Sequence, residues 1–343
     1  MRVLIIGGSG LISTAITEQL QARGDSVTWY NRGQRSVHLA APPPTLKGDR
    51  TNFARFAAQM AEAGAWDCVI DMVCFRPDEA ESAIRALAGR TRHYIFCSTV
   101  DVYTKPATRY PIVECCEKQP YPSFPYAFDK AACERVLWAA HERGDLAVTA
   151  IRPAHTYGES GRVLHTFGFE TYILDRIRRG MPLVAHGDGR SLWSSCHRDD
   201  VAAAFVGAVT QPGVTIGRAY HVAAEEWLTW DRYYQELSAA LGLDCPPLVH
   251  IPTDLLGKAL PERAMWCVEN FAYNNLFDNR AAQRDLGFAY TIPVAVGFRR
   301  LVDWLDSHDQ IEPAEAYPFY DQVIQAWERL GEGFVAELAE SHR

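Results

Sequence analysis

A doubly wound parallel α/β sheet carrying a smaller, mostly C-terminal lobe is the fold class that the sequence predicts. Three observations predict it. Short apolar, β-branched runs alternate with helical patterns through the first half of the chain, the first run ends in a glycine-rich turn, and beyond residue 155 this rhythm loosens. With 343 residues the chain has room for one large α/β domain and an attachment.

Taken in order, the alternating elements are "RVLIIGG", "STAITEQLQARG", "SVTWYNRG", "FARFAAQMAEAG", "DCVIDMV", "PDEAESAIRALAG" and "HYIFCST". Strand and helix alternate, so the strands are expected to run parallel with right-handed crossovers. The amphipathic "YAFDKAACERVLWAAHERG" and the strand "LAVTAIRPAHTYG" continue the pattern. Next come a helix in "FETYILDRIRRG", a loop and helix in "GDGRSLWSSCHRDDVAAAFVGAV", a strand in "AYHVAA" and a helix in "TWDRYYQELSAALG". Residues 246–343 are rich in Pro and aromatics. The expected division is a dinucleotide-binding domain of residues 1–165 with 191–245, and a substrate-binding lobe of 166–190 with 246–343. No repeat is visible, and "APPPT" at 41–45 reads as a loop.

Composition excludes several classes. Apolar residues make up 48% and charged ones 22%, with no apolar run long enough for a membrane span, so a soluble protein is expected. In "MRVLIIGGSG" the glycines arrive before a signal-peptide core can form, and a cytoplasmic location follows as the expectation. Nine cysteines occur with no C-x-x-C pair, which points to reduced thiols rather than a zinc knuckle or disulfide framework. A net charge of −8 without a long Lys/Arg cluster argues against nucleic acid as the main partner.

The glycine turn "GGSGLIS" supplies the first chemistry. Gly7 and Gly10 follow a buried strand, and Leu11 and Ile12 open a helix, so backbone amides at that helix N-terminus can face a pyrophosphate without Cβ obstruction. Ser13 stands where the third glycine of such loops falls. The second strand ends in Asn31-Arg32-Gly33, where a dinucleotide site reads the adenosine ribose. An acid there favours a free 2′-hydroxyl and Arg32 a 2′-phosphate, so NADP is expected ahead of NAD. Asp49 and Arg50 in "KGDRTNF" suit either an adenine-binding edge or a turn with an Asp cap.

Tyr126 and Lys130 in "YAFDK" lie four residues apart and share a helix face. A cation beside a phenol lowers its pKa and prepares it for acid/base work. "CSTVDVY" ends a strand in hydroxyls, placing Thr99 at the carboxyl edge of the sheet, where chemistry gathers in such folds.

Together "GGSGLIS", "NRG", "GDR", "DCVIDMV", "CSTVDVY", "YAFDK", "IRPAHTYG" and "HRDDVAAAF" resemble the extended or atypical short-chain dehydrogenase/reductase superfamily, in its NAD(P)-dependent epimerase/dehydratase branch. These motifs cover most of residues 1–210. The resemblance implies a Rossmann domain, with Tyr126 as catalytic acid/base, Lys130 on the nicotinamide ribose and Thr99 on the reacting oxygen. It further implies that Ser98 and Pro153 border the cofactor and that His155, Thr156 and Tyr157 adjoin nicotinamide and substrate. Tyr103 is expected to shape the pocket. No metal is implied, since His155, His165 and His197 lack ligand spacing.

Two departures from the family pattern bear on the reaction. Dehydratases of this kind follow the Thr with Asp-Glu, an acid and a base. Here Val100 and Asp101 stand there, so the leaving-group acid is missing and Asp101 is either a base or a strand-end cap. Nucleotide-sugar enzymes carry an Arg four residues before the His of H-x-D-D; Trp193 occupies that place and Arg190 lies three residues earlier. Trp193 either stacks on a substrate ring or belongs to the core. The function expected is an NAD(P)-dependent epimerase or ketoreductase of a sugar or sugar-nucleotide. The alternatives are a sugar-nucleotide dehydratase and a non-catalytic NADP-binding module that contacts RNA or protein, since the "NRG" turn also resembles the chloroplast stem-loop-binding subgroup. A homodimer through the helices of "DEAESAIRALAG" and "YAFDKAACERVLWAAHERG" is possible within this family.

Overall fold

In the computed structural model, which describes residues 1–342 apart from positions 36 and 38, the chain divides into two compact units. The first comprises Met1–Gly158, Ser194–Trp227 and Asn275–Gly297; the second comprises Glu159–Trp193, Leu228–Asn274 and Phe298–Arg343.

The first unit is built on a parallel sheet. Its strands are β1 (Arg2–Ile6), β2 (Ser26–Asn31), β3 (Thr45–Lys47), β4 (Cys68–Asp71), β5 (Tyr94–Cys97), β6 (Val148–Pro153) and a seventh, Ala219–Val222. The spatial order is β3-β2-β1-β4-β5-β6 followed by the seventh strand, with every pair parallel. The direction of winding therefore reverses between β1 and β4, which opens a crevice outside the carboxyl ends of those two strands.

Alternation along β1 explains the layers. Val3 and Ile5 join one buried cluster with Ile16, Leu20 and Phe205, while Leu4 and Ile6 join the opposite one with Phe56, Met60 and Leu137. Both faces of the sheet are covered, so the strands read as continuous apolar runs. The helices on the second face are α2 (Phe53–Ala63), α3 (Pro77–Leu87) and α4 (Pro125–Glu142); α1 (Leu11–Ala22) and Arg198–Thr210 cover the first. Local chemistry starts these helices. Asn52 accepts from the Arg55 amide at the head of α2, and Pro occupies the first position of α3 and of α4. The Glu79 carboxylate accepts from the Phe75 and Arg76 amides at 2.6 and 3.0 Å, closing the head of α3.

The second unit holds the parallel pair Leu183–His186 with Leu248–Ile251 and the antiparallel pair Leu192–Trp193 with Leu228–Thr229. Its core is aromatic: Trp230 lies 4.8 Å from Phe271 and 5.3 Å from Trp193, ring centre to ring centre. Among the described residues no helix is long and apolar enough to cross a membrane.

The division differs from the sequence expectation at four places. Residues 159–165, 191–193 and 228–245 lie in the second unit, and Asn275–Gly297 returns to the first. Backbone pairing accounts for the return: the Ile112 amide donates to Leu276 at 2.7 Å, and Asn279 exchanges two hydrogen bonds with the Ala223 backbone. Pairings of such sequence separation leave no periodic trace in either partner.

Candidate active site

At the crevice between β1 and β4 the first unit contains a cavity of about 840 Å³. The glycine turn forms its floor through Gly7, Gly10, Leu11 and Ile12. Gly7 has φ +85°, and a Cβ there would stand 2.5 Å from Val73 Cγ1, so both backbone and space require glycine. Ser13, in place of the third glycine, closes the turn by donating from its hydroxyl to the Gly7 carbonyl at 2.9 Å.

The end of β2 brings Asn31, Arg32 and Arg35 to the cavity wall, with both arginines exposed. Asn31 Oδ1 accepts from the Gly33 amide at 2.8 Å and shapes that turn. Asp49 and Arg50 also line the wall, by different means. The exposed Asp49 accepts from the hydroxyl and amide of Thr51, which hold its carboxyl below the usual range. Arg50 is buried, with Nη2 2.9 Å from Asp71 Oδ2 and 2.9 Å from the Glu79 carbonyl. Its Nε and Nη1 are buried without a partner among the described residues.

Helix α4 supplies the opposite wall with Tyr126 and Lys130, one turn apart. Lys130 Nζ donates to the carbonyls of Cys97 at 2.7 Å and Cys74 at 3.0 Å, tying α4 to the ends of β5 and β4. Thr99 caps a short 3₁₀ turn, Val100–Val102; its hydroxyl accepts from the Asp101 amide at 3.2 Å and donates to Asp101 Oδ2 at 3.0 Å. Thr99 is also hydrogen-bonded to Tyr126. Asp101 in turn lies 3.9 Å from Lys105 Nζ.

The sequence reading has Lys130 lowering the Tyr126 pKa; the structure differs. Burial pushes the phenol well above its ordinary value, Asp101 and Cys97 push the same way, and the Thr99 hydrogen bond pulls it back. Lys130 donates to the two carbonyls.

Several expected site residues lie elsewhere. Tyr103 is turned inward and fully buried, its hydroxyl 2.5 Å from His221 Nε2 and 2.6 Å from Arg152 Nη1, so it supports the site from behind and does not line it. Ser98 touches the cavity, but its hydroxyl donates to Glu134 Oε1 at 2.6 Å. Pro153 is buried at the end of β6 and is absent from the cavity wall, which Thr156 reaches. His155 is half-buried, with Nδ1 2.9 Å from Ser195 Oγ, and burial pushes its imidazole down to about 4. Tyr157 is buried, its ring plane nearly parallel to that of His155. In the second unit Arg190 is exposed and Trp193 is buried in the aromatic core, which removes its face from ring stacking with a substrate.

Sequence reasoning passed over Val73 and Phe75, which line the cavity just after β4, and Arg35, three residues past Arg32. The switch point itself was the available signal: the loop after β4 has to border the crevice.

Residues 3–223 match the model of the NAD dependent epimerase/dehydratase family. The chain belongs to that family. Among relatives of this epimerase/dehydratase member, 2′-dehydrokanamycin reductase of Streptomyces kanamyceticus is 27% identical over 278 residues, 81% of this chain and 77% of the relative. A 2-alkyl-3-oxoalkanoate reductase of Stenotrophomonas maltophilia is 27% identical over 338 residues, 88% of this chain and 98% of the relative. Chloroplast stem-loop binding protein of 41 kDa b from Arabidopsis thaliana is 24% identical over 262 residues, 73% of this chain and 65% of the relative. In fold, UDP-glucuronic acid 4-epimerase from Bacillus cereus, solved in complex with NAD, superposes with a TM-score of 0.70 at 15% identity, covering 90% of this chain and 99% of that one. The epimerase/dehydratase member described here is thus an NAD(P)-dependent enzyme of the short-chain dehydrogenase/reductase type. Its Val100 is buried and apolar.

Proposed function

We propose that the protein is an NADPH-dependent ketoreductase of a sugar or sugar-like ketone, with Tyr126 moving the proton. The observation that carries this reading is Tyr126 beside Lys130 at the wall of the cavity that the glycine turn lines, with buried Thr99 hydrogen-bonded to Tyr126 from behind.

The cavity fits a nicotinamide dinucleotide. The glycine turn would hold the pyrophosphate, Arg32 and Arg35 the 2′-phosphate, and Lys130 the nicotinamide ribose. When bound, the dinucleotide supplies or accepts the hydride. Thr99 and Tyr126 would hold the substrate oxygen, and Tyr126 would give its proton to that oxygen during reduction. A phenol held above its ordinary pKa is protonated at neutral pH, which suits an acid more than a base. Two relatives are named for reduction, and buried Val100 supplies no acid for dehydration.

The test uses purified protein with NADPH or NADH and a panel of keto-sugars, 3-oxoalkanoates and UDP-sugars, followed in the nicotinamide absorbance band. NADPH oxidation with a keto-sugar, with at least about tenfold preference over NADH that the double variant R32A/R35A removes, is the expected result. Interconversion of UDP-sugars without net cofactor change would replace this reading with an epimerase. No turnover together with RNA retention would make the protein a binding module.

A further inference from the structure

Behind the Thr99–Tyr126 pair lies a buried lysine that the proposed reaction has not used. Lys105 is only 5% exposed, at the start of the loop that follows the 3₁₀ turn. Its Nζ donates to Asn275 Oδ1 at 2.5 Å and stands 3.9 Å from Asp101 Oδ1. Asp101, also buried, accepts the Thr99 hydroxyl at 3.0 Å on its other oxygen. The groups therefore form one line through the first unit: Asn275, Lys105, Asp101, Thr99, Tyr126.

Charge along this line has a consequence for Tyr126. When Tyr126 gives up its proton, a phenolate forms one hydroxyl away from the Asp101 carboxylate. Two anions that close and that poorly solvated oppose each other. A cation on the far side of Asp101 cuts the local charge from two negative to one. We propose that Lys105 is a positioning residue that neutralises Asp101 behind Thr99 and thereby sets how readily Tyr126 releases and regains its proton. The proposal rests on the role of Tyr126 given above.

Asp101 and Cys97 are the neighbours that raise the Tyr126 pKa, and Thr99 lowers it. Burial draws the Lys105 ammonium down to about 8, with Asp101 holding it up. An amine of this kind remains charged at neutral pH and loses its charge in mild alkali, which releases Asp101 to act on Tyr126.

Four proteins test the proposal: wild type, K105M, D101N and the double variant K105M/D101N. Each is followed in single-turnover ketone reduction by NADPH from neutral pH into mild alkali, and Lys105 is titrated by NMR in ¹³C-lysine-labelled protein, its resonance assigned from K105M. K105M should react about tenfold more slowly than wild type at neutral pH, and the wild-type rate should fall toward that of K105M as pH rises through about 8, where Lys105 loses its charge. D101N should titrate Lys105 below its wild-type value, and the double variant should react at near the wild-type neutral rate, because the opposed charges leave together. Were K105M to misfold, the Lys105 shift in D101N and the near-wild-type double variant would still be required. A neutral-pH rate that K105M leaves in place, a K105M loss that D101N fails to cancel, or a Lys105 titration that D101N leaves in place overturns the proposal. Failure of the underlying reading looks different: Y126F would retain NADPH-linked ketone reduction.

Discussion

At the scale of single residues, the site rests on positions whose alternatives are excluded by space or charge. Gly7 combines a positive φ with contact against Val73, so Gly7→Ala should weaken NADPH binding at least about tenfold and cost about 1–2 kcal/mol of stability. Fluorescence titration with NADPH and urea denaturation check the two halves; wild-type affinity in that variant would remove the glycine turn from the site. That Gly7, Arg32 and Tyr126 meet at one cavity was legible because local spacing marks such motifs. Tyr103 was misread for a complementary reason. The direction in which its ring points is decided by His221, 118 positions away, and by Arg152 on β6. Lys105 was invisible in the same way, since its burial partner Asn275 lies 170 residues on.

At the scale of elements, α4 holds both proposed chemical groups, and one buried ion pair fixes its seat on the sheet. Glu134 accepts from Arg152 Nε at 2.8 Å and Nη2 at 2.6 Å, and from Ser98 at 2.6 Å. Burial opposes the Glu134 charge, but Arg152 and Ser98 hold its carboxyl below the ordinary range. Removing one partner leaves the other charged and buried, so Glu134→Ala should lose about 3–5 kcal/mol in urea denaturation. Because Tyr126 and Lys130 share that helix, turnover should fall with stability. Ser98→Ala, which removes one neutral donor to that carboxylate, should cost less, about 1.5–3 kcal/mol. The alternation of strands and helices, and with it the parallel sheet, was readable from period and breakers, whereas the strand order β3-β2-β1-β4-β5-β6 comes from the structure alone. The return of Asn275–Gly297 was not readable either, because its hydrogen bonds to Ile112 and Ala223 are long-range.

At the scale of the whole molecule, buried imidazoles tie stability to pH. Burial lowers His93 and His155 from 6.5 to about 4, and burial with the Arg152 charge lowers His221 to about 3. Each is neutral in the fold, whereas the unfolded chain protonates its histidines near 6.5. The unfolded state therefore binds more protons between those values, and folding stability falls as pH drops from about 6.5 toward 4. Each histidine contributes at most about 3 kcal/mol to that loss. Urea melts across this range should show the decline, and His93→Gln should flatten it; stability constant from pH 7 to 4 would contradict the assignment. The central claim is hydride-linked reduction with Tyr126 as the proton donor. Its most direct test is single-turnover reduction of a keto-sugar with NADPH deuterated at the transferring position, read by mass spectrometry of the alcohol in wild type and Y126F. Deuterium on the carbinol carbon in wild type, lost in Y126F while NADPH binding is retained, is the predicted result. Undiminished transfer by Y126F, or no transfer to any keto-sugar or oxoalkanoate by the wild type, would contradict it.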